Sequence, residues 1–122
     1  MTEDTYFFDS YALVEIFKGN ENYMKYSKCN IVMDYLNLFE IYYNLIKHYD
    51  KNIVNVFFGR LKGFCIDLKF EWIKEASELR ISLKKDLSYA DCLGYVISRN
   101  LKIKFLTGDK EFKGLDNVEF IK

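Results

Sequence analysis

Short β-favouring runs alternate with amphipathic helical stretches along this chain, and that alternation limits the fold more than any other feature. The runs fall at residues 5–8, 30–33, 64–68, 102–106 and 117–121. Between them, helices are expected over 11–18 (stopped by Gly19-Asn20), 20–28, 51–62, 71–84 and 88–100. A longer helix, opened by Asp34, is expected to reach about Tyr49, with Leu38, Ile41, Tyr42, Leu45 and Tyr49 on one stripe. In the helix over 88–100, Ala90, Leu93, Val96 and Ile97 share the core-facing side. Strands separated by helices pair in parallel through helical crossovers. The expected fold is a three-layer α/β/α sandwich around a central, mainly parallel sheet.

The chain has 122 residues, of which half are apolar and 18% aromatic. That suits one domain over 1–122 with a core needing neither disulfides nor metal, and it excludes a disordered chain. No proline, repeat or low-complexity stretch marks a linker. Eighteen basic residues balance eighteen acidic ones, so no bulk positive charge attracts nucleic acid. Any basic contact with RNA must be gathered locally. Cys29, Cys65 and Cys92 are odd in number and far apart, and read as small buried hydrophobes in a reducing cytosol. The opening MTEDTYFFDS lacks the basic and long apolar regions of a secretory signal, and no apolar run approaches the ~20 residues of a membrane span. A soluble, cytoplasmic protein with no membrane contact is the expectation.

Position selects four of the eighteen acids. Asp9 follows the first strand, and Asp109 follows the strand ending at Leu106 after a Thr-Gly turn. Asp91 lies in the first turn of its helix, and Glu40 in the first half of the long helix after the second strand. In an open parallel sheet, groups just past the carboxyl ends of strands collect around one crevice. Carboxylates gathered there repel one another. Mg²⁺ or Mn²⁺ would remove that penalty, activate a water and stabilise charge on a scissile phosphate. The lone histidine, His48, lies far along a polar helix end, and histidine-driven ribonucleases use two acid–base groups.

Each acid also has a purely structural use. Asp9 can cap the helix that follows, Ser88-x-x-Asp91 resembles a capping box, and Asp109 can cap the turn before Phe112. Glu40 can face solvent and pair with Asn44 or Lys47. Of the many aromatics, Tyr42 and Tyr49 read as packing residues. Tyr11 and Tyr95 stand nearest the crevice, without a feature that selects either as a base-stacking platform.

Taken in order, these segments resemble the PIN family, most closely its small VapC-type toxins. YFFDSYALVEIFKGNENY (6–23) is similar to the family's first strand, aspartate-serine step and helix. NLFEIYYNL (37–45) resembles the helix carrying its glutamate. LSYADCLGYVISRNLKIKFLTGDKEF (87–112) resembles the helix with the third acid, then the strand and the threonine-x-aspartate turn; VEFI (118–121) fits the last strand. The resemblance implies an RNA-cleaving endonuclease with Asp9, Glu40 and Asp91 around Mg²⁺ or Mn²⁺ and Asp109 as a fourth acid. It implies Ser10 and Thr107 as groups that orient carboxylates or water. It also implies a homodimer and a small antitoxin that docks in a groove between helices and blocks the site. Residues 44–87 carry no family signature, and Lys18, Arg99, Lys110 and Lys113 are the basic residues expected nearest the crevice.

The alternative on the same fold is a catalytically silent binding or assembly module, recognisable by metal-independent binding without cleavage. A receiver-type phosphoacceptor would need an acid pair after the first strand, whereas Ser10 follows Asp9. A phosphatase with a D-x-D signature would need an aspartate where Tyr11 stands.

Overall fold

Two neighbouring phenylalanines show how the layers form. Phe7 and Phe8 lie on β1 (Thr5–Phe8), where successive side chains point to opposite faces of the sheet. Phe8 enters one buried cluster with Ala12, Leu13, Met33, Ile41, Leu45 and Leu106. Phe7 enters a second with Trp72, Leu93, Val96, Ile97 and Phe105. Two cores on opposite faces of one sheet make the three layers expected from the sequence.

A computed structural model describes residues 4–122, so the first three residues of the acidic opening lie outside the described part. After β1 come α1 (Ser10–Phe17), a 3-10 segment (Glu21–Lys28), β2 (Asn30–Asp34), α2 (Tyr35–Ile46) and α3 (Lys51–Leu61). They are followed by β3 (Cys65–Ile66), α4 (Phe70–Leu83), α5 (Tyr89–Leu101), β4 (Lys104–Thr107) and β5 (Val118–Phe120). The strand order is β3-β2-β1-β4-β5, and each neighbouring pair is parallel. The order reverses direction between β1 and β4, the place where open α/β sheets leave a crevice at their carboxyl ends. Among the described residues, no helix is long and apolar enough to cross a membrane.

Several boundaries differ from expectation, each for a local reason. The long helix ends at Ile46 instead of Tyr49, and Tyr49 instead packs edge-on against Phe17 while staying 41% exposed. The run at 64–68 contributes only two strand residues, because it meets only the end of β2 at the sheet edge. Lys102 does not begin a strand. It caps α5 in the left-handed conformation (φ 60°), its N–H donating to the Arg99 carbonyl while Ile103 N–H donates to Ser98. Those two bonds form a Schellman closure, a position where glycine is the usual signal. Cys92 is buried as expected, but Cys29 and Cys65 are only half-buried; all three are free thiols.

Close approach of α5 to the sheet depends on Gly94. A methyl group built there would lie 2.6 Å from the Phe7 ring and 3.0 Å from Phe105. Gly94→Ala is expected to cost about 1–3 kcal/mol through overpacking, read as a lower urea midpoint with an unchanged slope.

Candidate active site

The cleft at the β1/β4 crossover has a volume of about 400 Å³, and Asp9, Glu40, Asp91 and Asp109 all line it. Helix starts place the three aspartates, and the second turn of α2 places Glu40. Asp9 caps α1, accepting from Ser10 N–H at 2.8 Å on one oxygen. Its other oxygen accepts from the Thr107 hydroxyl at 2.7 Å, across from the end of β4. Thr107 in turn accepts from Asp109 N–H at 3.0 Å, so one hydroxyl orients two of the acids. The Ser10 hydroxyl lies 3.4 Å from the Asn37 carbonyl, to which it donates; it does not touch Asp9.

Asp91 and Ser88 form the reciprocal capping box that the sequence suggested, at 2.9 and 3.1 Å. Asp109 caps its turn by accepting from Glu111 N–H at 3.0 Å. Capping and cleft placement thus coexist in all three aspartates. Glu40 makes no pair with Asn44 or Lys47; the Lys47 ammonium sits 4.9 Å over the Tyr43 ring instead. Gly108 joins Thr107 to Asp109 without room for a side chain. A Cβ there would strike the Ile121 carbonyl, the Tyr11 ring and the Tyr23 hydroxyl, itself a donor to Ile121.

The electrostatics are strained in one direction. Burial pushes the Asp9 carboxyl well above the usual range, and the charges of Asp91 and Glu40 push it further against the opposing Thr107 and Ser10 bonds. Asp91 is raised to about 6, first by burial and then by Glu40 and Asp109, while its Ser88 bonds pull it down. Among the described residues, neither acid is in a salt bridge; the two ion pairs are Lys18–Glu15 and Arg99–Glu75.

These donors suit a hard divalent ion. Among the described residues, one oxygen of Asp91, one of Asp109 and both of Glu40 accept no hydrogen bond, and each Asp9 oxygen accepts only one. The acids stand on the walls of the cleft, and among the described residues no three His, Cys, Asp or Glu side chains are already drawn together around one point.

Other expected residues lie elsewhere. Lys18 and Arg99 are held in ion pairs, Arg99 also over the Tyr95 ring at 5.0 Å. Lys113 sits over Phe120, and neither it nor Lys110 lines the cleft. Tyr11 reaches the cleft; Tyr95 does not, because its ring packs on Phe105 and Phe112 and its hydroxyl donates to Asp116 at 2.6 Å. Sequence reasoning missed Arg80 and Asp86, both on the cleft wall, and the buried Asn37. Asn37 opens the stretch NLFEIYYNL, and its place three residues after Asp34 is the available signal.

The PIN domain family model matches residues 6–118. This chain belongs to the PIN domain family. PIN domains are generally nucleases, and they typically use divalent metal ions. A solved structure described as a toxin–antitoxin complex from Klebsiella pneumoniae is similar to this PIN domain, with a TM-score of 0.74 and 16% identity. The match covers 93% of this chain and 95% of that one, and it carries the fold alone. No curated protein matches the chain significantly.

Proposed function

We propose that this PIN domain is a metal-dependent endoribonuclease, hydrolysing RNA phosphodiester bonds with Asp9, Glu40, Asp91 and Asp109. The observation that carries the reading is that four carboxylates, none of them in a salt bridge among the described residues, line one cleft. Mg²⁺ or Mn²⁺, when bound, supplies the positive charge that lets these acids ionise together, activates water and stabilises the scissile phosphate. Asp9 and Asp91 are the first candidates to hold it, with Glu40 and Asp109 completing the oxygen set. Thr107 fixes the Asp9 carboxylate by its hydroxyl, and Ser10 fixes it by its backbone N–H. Buried surroundings on the Asp9 side exclude bulk water and strengthen each charge interaction.

We further propose that the protein is the toxin of a toxin–antitoxin pair, acts in the cytoplasm and forms a homodimer. An apolar groove of about 500 Å³, lined by Leu36, Leu68, Ile73, Ala76, Ile81 and Leu93, supports an antitoxin contact. It adjoins the acidic cleft, since Arg80 lines both, so a chain seated there can block the site.

Purified protein incubated with a mixed RNA pool is expected to cut it with Mg²⁺ or Mn²⁺, to stop in EDTA, and to stop in Asp9→Asn. Cutting that survives both EDTA and the substitution removes the reading. A folded wild type that binds RNA without metal and cuts nothing is instead the silent binding module.

A further inference from the structure

Arg80 stands on a cleft wall made otherwise of acids and uncharged groups, and nothing in the proposed hydrolysis employs it. It lies in the last turn of α4 and is held twice. Its Nε donates to the Leu87 carbonyl at 3.0 Å, and its guanidinium carbon sits 4.7 Å from the centre of the Tyr89 ring. Those contacts fix the plane of the group yet use only one of its donors. Among the described residues, neither Nη group has a hydrogen-bond partner, and Arg80 forms no ion pair although five acids line the same cleft. Arg80 is an exposed residue, so a ligand entering the cleft can reach the group. Here the guanidinium is oriented and its fork left open.

A fork of free N–H groups matches two phosphate oxygens. The cleft needs such a group. Its acids repel a polyanion, and the chain's net charge of zero supplies no long-range attraction to offset them. We propose that Arg80 anchors a backbone phosphate beside the scissile one, on a single-stranded nucleic acid, with Tyr89 as the positioning residue that holds the guanidinium plane. This rests on the nuclease reading and names how its substrate is held. The strand then crosses the cleft between a cation at the α4–α5 side and the carboxylates at the sheet ends.

The test separates charge from structure. Binding of a fluorescein-labelled single-stranded RNA is followed by anisotropy at increasing KCl, with Asp9→Asn as the parent so that nothing is cut. Arg80→Gln keeps a donor for Leu87 and loses the charge; Arg80→Lys keeps the charge. The Gln variant is expected to bind about tenfold more weakly at low salt, the loss of one charge-assisted contact. Its log–log salt slope should shrink by about 0.7, the value for one phosphate on a single strand. The Lys variant should keep the parent's slope. In the cleaving background, Arg80→Gln should raise KM by a similar factor and leave kcat within about twofold, the pattern of a lost ground-state contact.

A Gln variant that matches its parent in affinity and slope overturns the proposal and leaves Arg80 as a rim residue of the protein-docking groove. So does a parent that fails to bind RNA, or a kcat loss with KM unchanged. If wild type cuts no RNA while binding still depends on Arg80 in this way, the nuclease reading fails and the anchor stands.

Discussion

Asp91→Asn is expected to silence RNA cleavage and, in the same preparation without metal, to melt at a higher temperature than wild type at neutral pH. Both effects come from one charge. Replacing a residue that only orients a metal ligand typically costs about 10–100-fold in affinity or activity, so loss of a ligand itself should lower the variant's activity by at least about that factor. Stability moves the other way. The Asp91 carboxyl lies at about 6 against an ordinary value of 3.8, so the folded chain holds this proton more tightly than the unfolded chain does. Its stabilising contribution is therefore complete in acid and is lost as pH rises from about 4 through about 6. At neutral pH the metal-free wild type carries the full penalty, on the order of 2 kcal/mol after allowance for partial solvent screening. Asparagine removes that charge and can still accept from Ser88 N–H, so the cap on α5 is retained. A rise of roughly 5–10 °C follows for a chain of this size. Adding Mg²⁺ or Mn²⁺ should raise the wild-type melting temperature more than the variant's. Calorimetry in EDTA across pH 4 to about 8 checks the sign. An Asn variant that melts at or below wild type at every pH would show that Asp91 is not penalised in the cleft.

The same residues separate what the sequence specifies locally from what only packing brings together. Parallel topology follows from alternation alone, and it places Asp9 and Asp109 past adjacent strand ends whatever the helices do. Asp91 is readable from its place in the first turn of a helix, and Glu40 from its place in the first half of the helix that follows β2. Arg80 was not readable. It comes from the stretch without family signature, and only the packing of α4 against α5 and the turn at Leu87 bring it to the wall. Nor does the sequence distinguish Tyr95, one helical turn from an acid, from a cleft aromatic. Its hydroxyl donates to Asp116 and its ring packs on Phe105 and Phe112, so it does not line the cleft. The left-handed caps at Lys84 and Lys102 carry lysine where glycine is the usual stop signal, and the ends expected for α4 and α5 each differ from the structure by one residue.

Asn37→Ala is expected to be among the most damaging single changes outside the apolar core, at about 3–4 kcal/mol, because two buried backbone groups lose their partners at once. Its side-chain oxygen accepts from Asp34 N–H at 2.8 Å, and its amide donates to the Phe8 carbonyl at 3.0 Å. Each orphaned buried group costs about 1–3 kcal/mol, and against a typical total of about 5–15 kcal/mol the sum is a large share of the fold. Water has no ready access to replace either bond, since Asn37 and Asp34 are 1% and 0% exposed. Asp34 is already under pressure there. Burial raises its carboxyl above the usual range, and one of its oxygens has no partner among the described residues. The same amide ties the start of α2 to the end of β1, so it sets the spacing between Glu40 on the helix and Asp9 after the strand. Cleavage should therefore fall along with stability, even at temperatures where the variant remains folded. Asn44→Ala, on the exposed cleft rim of the same helix, is the control for helix propensity and should shift stability by no more than about 0.5 kcal/mol. Urea titrations of the two variants decide the matter. Equal midpoints would mean that the Asn37 bridge holds neither the junction nor the site.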